Sequence, residues 1–516
     1  MLFNSYIFLL LFLPIALGIF FLLGRFQRYQ TAIFSLVVMS LVFYGWWNPI
    51  YLSLILASMV FNYLVGVRLG RRARGEANAR GLLAFGVTAD LVLLGYFKYA
   101  KFFVANLNSI AGLDYPLPEI VLPLGISFFT FTQIAYLVDS YRGEAREYNP
   151  LHYALFVTYF PHLIAGPVLH HKEMMPQFAK PAIYVFNTKS FTAGTTYFLI
   201  GLFKKVVIAD GVSVFANPVF AAATKLGAVS FADAWGGALS YTFQLYFDFS
   251  GYSDMAVGLA MMMGICLPLN FDSPYKAPNI IEFWRRWHMT LSRFLRDYLY
   301  FALGGNRHGE FRRYVNLFLT MLLGGLWHGA GWTFIAWGAL HGAYLMANHA
   351  WHGVRRRFGQ DSKRSSPVGR WVARTLTFIA VVIGWVFFRA HDIESAVRML
   401  QAMFSPPSFS LSSEYAQVVT QSKCVQWMAL LGLPLPGPAV LLTILIGLLG
   451  VVWIWPNTQE LMNRDYRELD GRLDATNLYR RTEWRPNWAW LGILLVASVW
   501  SLLGLSSVSE FLYFQF

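Results

Sequence analysis

The chain has 516 residues, of which 56% are hydrophobic and only 13% charged; aromatics reach 17%, with 45 Phe, 27 Tyr and 18 Trp. A soluble body of this size cannot hide so much apolar surface, so a soluble enzyme, a disordered chain and a fibrous protein are excluded. The net charge of +14 is carried mainly by short loops between apolar runs, the pattern of cytoplasmic anchoring beside anionic lipid and not of nucleic-acid binding.

The apolar residues come in long continuous runs, which predicts an all-α, polytopic membrane protein and disfavours a transmembrane barrel. The first run, Tyr6–Leu23, reads as a span and not a signal peptide: Met1 to Ser5 carry no side-chain charge and no cleavage pattern follows. Further runs long enough for roughly 30 Å of hydrocarbon lie near 32–47, 50–67, 82–97, 119–138, 151–169, 192–209, 233–249, 252–269, 375–389, 438–455 and 487–504. An overlapping pair, 315–337 and 332–350, is two short spans or one broken segment. The expectation is one domain over residues 1–516, with ten to twelve transmembrane helices plus re-entrant or interfacial pieces.

Arginines set the orientation. Arg25 and Arg28, then Arg68, Arg71, Arg72, Arg74 and Arg80, then Arg142 and Arg146 fall on one side if the N-terminus is periplasmic. The loops 353–374 and 464–485 are also rich in arginine and fit the cytoplasm, leaving the Phe511–Phe516 end outside. The two cysteines, Cys266 and Cys424, make neither a disulfide framework nor a zinc cluster. Among the eleven histidines only His170–His171 and His349–His352 come close together, and His341 with His352 supplies just two ligands, so no metal is expected.

Polar groups within apolar runs are the best pointers to chemistry. His328 lies twelve residues into the run from Asn316, about 18 Å along a helix. An imidazole there can take and return a proton near neutral pH, or serve only as a structural bond to a neighbouring helix. Gly324, Gly325, Gly329 and Gly331 flank it and allow close approach of a backbone or a thin ligand. Phe283-Trp-Arg-Arg-Trp-His288 through Tyr298 reads as one interfacial helix with an apolar stripe of Trp284, Trp287, Leu291, Leu295 and Tyr298. Its Arg285 and Arg286 suit phosphates of a nucleotide-bearing donor or lipid headgroups. Gln244 to Asp254 suggests a polar cavity wall or helix caps, and Tyr159 to Glu173 a re-entrant or kinked segment.

Several ordered motifs resemble the membrane-bound O-acyltransferase family, most closely its bacterial, alginate O-acetyltransferase branch. They are Pro123-Leu-Gly-Ile-Ser-Phe-Phe-Thr-Phe131, Tyr136-Leu-Val-Asp139, Phe160-Pro-His-Leu-Ile-Ala-Gly-Pro167, Tyr246-Phe-Asp-Phe-Ser-Gly-Tyr-Ser-Asp254, Phe283-Trp-Arg-Arg-Trp-His288, Leu299-Tyr-Phe-Ala-Leu-Gly-Gly-Asn306, Gly325-Leu-Trp-His-Gly329 and Trp385-Val-Phe-Phe-Arg389. The resemblance implies helices around a central funnel and an essential histidine at His328. By order along the chain, His288 stands where other branches carry a second polar residue, often Asn. Trp327 and Trp332 would shape a tunnel and exclude water. The activity implied is O-acetylation of an exported polysaccharide, alginate or cellulose, in the bacterial inner membrane. The donor would be acetyl-CoA or another cytoplasmic acetyl thioester with no bound cofactor, and a periplasmic acetyltransferase within an exopolysaccharide complex would complete transfer. A transporter or flippase without bond chemistry is the competing class.

Overall fold

A computed structural model describes residues 1–71, 77–145, 149–359, 366–422, 425–426, 436–462, 484–505 and 512. Arg72, Arg74, Arg146, Cys424, the 464–485 loop up to residue 483 and all of the Phe511–Phe516 end except Leu512 lie outside the described residues. In chain order the helices are α1 (Leu13–Arg25), α2 (Tyr29–Gly45), α3 (Tyr51–Gly70), α4 (Ala77–Ala111), α5 (Ile126–Arg142), α6 (Pro150–Thr158), α7 (Phe160–Leu163), α8 (His171–Phe178) and α9 (Thr188–Phe203). They continue as α10 (Asp210–Thr224), α11 (Phe231–Met262), α12 (Ile280–Arg286), α13 (Met289–Phe294), α14 (Gly309–His328), α15 (Trp332–Arg357) and α16 (Pro367–Arg389). The last are α17 (Ile393–Met403), α18 (Ser413–Gln421), α19 (Gly437–Trp453), α20 (Thr458–Leu461) and α21 (Trp488–Gly504). Among the described residues there is no strand, as the continuous apolar runs predict.

Among the described residues, four helical stretches are long and apolar enough to cross a bilayer: Phe8–Arg25, Tyr51–Gly70, Asn78–Ala111 and Pro367–Arg389. Tyr29–Gly45, Gly437–Trp453 and Trp488–Gly504 are shorter apolar helices. The chain folds into two compact units. The first comprises Met1–Phe203, Tyr252–Leu269 and Thr458–Val508, and the second Lys204–Gly251, Asn270–Asn457 and Ser509–Phe516.

In the first unit, α1 packs on α2, α2 on α6, α3 and α4 on α5, and α9 on α21. Phe3, Phe8, Phe12, Phe43 and Phe160 form an aromatic cluster whose rings meet stacked, tilted or edge-on. The run 151–169 is broken rather than continuous: Tyr159 leaves the helical region and Pro161 opens the one-turn α7. The freed Phe160 amide is satisfied by Ser40 Oγ at 3.1 Å, and buried His162 bonds the Phe156 carbonyl oxygen through Nε2 at 2.9 Å. These partners keep an interrupted backbone tolerable inside the protein.

In the second unit, α10 packs on α17 and α18, α18 on α19, α14 on α15, and α15 on α16. Three expectations change in shape. The runs 233–249 and 252–269 are joined in one helix, α11, about 48 Å long. Gln244 to Asp254 therefore lie within a helix and cap nothing. Asp248 is instead held by buried Lys205 at 2.8 Å and by the Leu512 amide at 3.1 Å, while Asp254 accepts from Thr458 Oγ1 at 2.6 Å. The overlapping pair near 315–350 resolves as two helices, α14 and α15, joined by Gly329-Ala330-Gly331. The segment from Phe283 to Tyr298 is not one helix, since it breaks at Trp287–His288.

The α14–α15 hairpin owes its closeness to glycine. A Cβ on Gly338 would lie 2.6 Å from the Met321 carbonyl oxygen and 3.2 Å from Gly325 Cα. One on Gly325 would overlap the Phe334 carbonyl oxygen and lie 3.0 Å from Gly338 Cα. The close approach anticipated beside His328 is thus made by the next helix of the same chain.

Two outcomes test these contacts. Gly338→Val should lower the thermal stability of the detergent-purified protein by about 1–3 kcal/mol, because backbone must yield. Lys205 also bonds Asp210 at 2.6 Å. Lys205→Met should cost about 3–5 kcal/mol, since it leaves two carboxylates facing each other without their cation. An unchanged unfolding temperature in either variant refutes the packing described.

Candidate active site

The site is built on the hairpin tip. His328 is the last residue of α14, and Trp332 opens α15 four residues after it. His328 is only 6% exposed. Its ring meets Trp327 (4.9 Å between centroids), Trp337 (5.1 Å) and Phe388 (5.1 Å) nearly edge-on, and His288 lies 6.5 Å away. An imidazole so surrounded is packed by apolar rings and shielded from bulk water.

His288 reaches this place because the helix breaks before it. Trp287 is extended and His288 itself sits in the left-handed region (φ 43°, ψ 54°). That conformation costs a residue with a side chain about 1–2 kcal/mol. Asn270 holds it. Its Oδ1 accepts from Thr290 Oγ1 at 2.9 Å and from the Thr290 amide at 3.4 Å, and it contacts His288 Nδ1 at 3.0 Å. The Asn270 carbonyl oxygen also accepts from the Met289 amide at 2.9 Å. A backbone amide only donates, so the shared Asn270 atom is the oxygen and His288 Nδ1 carries the hydrogen. Nε2 is therefore the accepting nitrogen of a neutral His288. Strain of this kind gathers at functional sites.

A third imidazole completes the arrangement. His341, fully buried on α15, lies tilted against Trp337 at 4.9 Å and accepts at Nδ1 from Trp284 Nε1 at 3.3 Å. Its Nε2 faces Gly384, where a Cβ would stand 2.7 Å away. A line of rings thus runs from Trp284 through His341 and Trp337 to His328 and His288.

Of the residues singled out in the sequence, His288, His328 and Trp327 come together, with Trp327 6.3 Å from His288. Trp332 is 56% exposed and turns much of its ring outward. The Arg285 side chain is 70% exposed and pairs with Glu282 at 3.3 Å; Arg286 pairs with the same carboxylate at 3.6 Å. Both arginines precede the break that turns His288 inward. Sequence reading missed Asn270, Trp337 and Phe388 as site residues, and treated His341 only as a metal ligand. Among the described residues no three His, Cys, Asp or Glu side chains converge as a metal would need. Asn270, eighteen residues before His288, gave no periodic signal. The alternation of Trp and His along α15 was the available hint for Trp337 and His341.

Comparison with known proteins bears directly on this arrangement. Residues 21–387 match the membrane-bound O-acyltransferase family, a stretch containing His288, His328 and His341. A protein of Pseudomonas putida named a probable alginate O-acetylase, AlgI, is 48% identical over 419 residues, covering 80% of this chain and 82% of its own length. The peptidoglycan O-acetyltransferase of Helicobacter pylori is 46% identical over 437 residues, 80% of this chain and 81% of its own. The teichoic acid D-alanyltransferase of Bacillus subtilis is 27% identical over 383 residues, 70% and 91% of the two chains. With more than half its length matched by the family and close relatives over four-fifths of it, this chain is a multi-pass acyltransferase belonging to the membrane-bound O-acyltransferase family.

Proposed function

We propose that the chain transfers an acetyl group from a cytoplasmic thioester toward a cell-envelope polysaccharide, and that His328 and His288 carry the chemistry. The observation that supports this most directly is the pair of buried imidazoles, 6.5 Å between ring centroids, one with its accepting nitrogen fixed by Asn270. An acceptor hydroxyl attacks the thioester carbonyl carbon while His328 takes its proton. The tetrahedral intermediate collapses, the C–S bond breaks, and the departing thiolate takes the proton from His328. The accepting Nε2 of His288 orients the hydroxyl. Trp327, Trp337 and Phe388 limit water that would hydrolyse the thioester.

The positive-inside rule places the Arg25–Arg28 turn, the Arg68–Arg71 end of α3 and the Arg355–Arg357 end of α15 in the cytoplasm. Both chain termini are then periplasmic in an inner-membrane protein of ten to twelve spans around a funnel. His328 lies at the far end of the hairpin from its arginines, so an acyl group reaches it without a charged donor crossing lipid. Alginate is the leading glycan, because relatives of nearly half-identical sequence carry that name; peptidoglycan and cellulose are the alternatives. A periplasmic acetyltransferase partner receives the acetyl group and completes transfer to the polymer.

His328→Ala should lower the acetyl content of the exported glycan by about 10²-fold or more at normal protein level. Full acetylation would refute the assignment. Asn270→Ala frees the His288 tautomer and should reduce acetylation by about 10-fold or more, with folding retained, as loss of a group that orients a catalytic base does. Unchanged acetylation there would remove His288 from the mechanism.

A further inference from the structure

The first unit holds a polar core that the acyl-transfer step does not use. Asn62 on α3 and Asp90 on α4 are both buried, at 0% and 2% exposure. Asp90 lies twelve residues after Asn78 in a helix long and apolar enough to cross the bilayer, about 18 Å along its axis. Asn62 Nδ2 donates to the Ser58 carbonyl oxygen at 3.1 Å and to Asp90 Oδ1 at 2.8 Å. A backbone carbonyl oxygen only accepts, so this Asn62 atom is the nitrogen, and both its hydrogens are in use. Two oxygens remain, Asn62 Oδ1 and Asp90 Oδ2. Both are buried, and among the described residues neither meets a donor. The neighbouring polar groups are engaged with one another: Gln133 Nε2 on α5 donates to Ser58 Oγ at 3.0 Å, and the Tyr153 hydroxyl on α6 donates to Gln133 Oε1 at 3.3 Å. The Tyr63 and Tyr136 rings meet Tyr153 at 5.4 and 4.6 Å. Charged side chains stand further along each helix. Arg80 and Lys98 are ten and eight residues from Asp90 on α4, and Lys98 donates to Ser127 Oγ at 3.4 Å. Arg68, six residues past Asn62 on α3, donates to the Leu64 carbonyl oxygen at 3.3 Å, and Asp139 and Arg142 lie six and nine residues past Gln133 on α5.

We propose that Asp90 is a proton-binding site within the membrane and pairs with Asn62 as a carboxylic acid pairs with an amide. A hydrogen on Asp90 Oδ2 donates to Asn62 Oδ1, while Asn62 Nδ2 donates to Asp90 Oδ1. Two parallel bonds close one ring, and a single proton satisfies both remaining oxygens. An ionised Asp90 leaves two acceptors without a hydrogen between them, which a low-dielectric interior penalises. An unpaired carboxylate at this depth in a bilayer is costlier still. The neutral acid removes both costs. The proton thereby joins α3 to α4, and through Ser58, Gln133 and Tyr153 the same core reaches α5 and α6. Acyl transfer needs no such proton, so the site stands whatever group the protein transfers. A water molecule or a sodium ion between the two oxygens is the rival filling, and each leaves Asp90 ionised.

The test uses the full-length protein in phosphatidylcholine nanodiscs, labelled with carbon-13 at the aspartate side-chain carboxyl. Infrared difference spectra at neutral pH compare the wild type with Asp90→Asn. The wild type should show the label-shifted carbonyl stretch of a carboxylic acid, and the variant should lack it. A difference confined to carboxylate bands would overturn the proposal, since water or a cation then fills the gap. Asp90→Asn should also hold the unfolding temperature, because its amide nitrogen donates to Asn62 Oδ1 in place of the acid. Exchange of sodium for choline should leave that temperature unchanged in both proteins. A sodium-dependent rise in the wild type alone would overturn the proposal and assign the two oxygens to a cation. Asn62→Ala serves if Asp90→Asn folds poorly. It removes the amide partner, so the acid band should move to higher frequency as its hydrogen bond is lost. An acid band that stays in place, or none in either protein, would contradict the pairing.

Discussion

Two backbones touching at Gly325 and Gly338 set the geometry on which the rest depends. A helix pair separated by ordinary side chains would stand about 8–10 Å apart. Removing Cβ at both positions lets α14 and α15 close until carbonyl oxygen and Cα meet. The three-residue link at the tip then has no slack. His328 at the end of one helix and Trp337 on the other are forced ring against ring. In an apolar medium no hydrophobic force drives such pairing, so close van der Waals contact supplies it.

Onto this tip the chain folds a strained segment. His288 occupies a conformation that favours glycine, yet one asparagine offsets the strain by bonding the ring, the following amide and a threonine hydroxyl. The same bonds select the tautomer. Packing therefore places one imidazole and hydrogen bonding defines the other. The charged groups of the second unit are dealt with elsewhere: Lys205 neutralises Asp210 and Asp248, and Arg313 bonds His349 toward the base of the hairpin.

The helical class was legible because hydrophobicity in long unbroken runs leaves little choice of secondary structure. His328 stood out for the same reason, a basic ring amid leucines and glycines. Boundaries were less legible. Ser250 and Gly251 looked like a break in α11, yet Lys205 and Thr458 stabilise the acids on either side and the helix continues. The single helix expected from Phe283 to Tyr298 failed because periodicity cannot see Asn270, whose bonds to His288 and Thr290 are long-range. Trp332 looked like a tunnel wall by proximity in sequence, whereas Trp337, one helical turn and a half further on, is the indole of α15 that packs on His328. His341 entered the sequence reading through its spacing to His352, but its partner is Trp284, 57 residues away.

The central claim is that the buried histidine pair breaks a thioester. The most direct measurement is the release of free coenzyme A from radiolabelled acetyl-CoA by membranes bearing the wild-type chain, His328→Ala or His288→Ala. The account predicts release by the wild type and little by either variant at equal protein amount. Release at the wild-type rate by both variants, or an intact thioester in every case, would contradict it, the latter pointing to transport without bond chemistry.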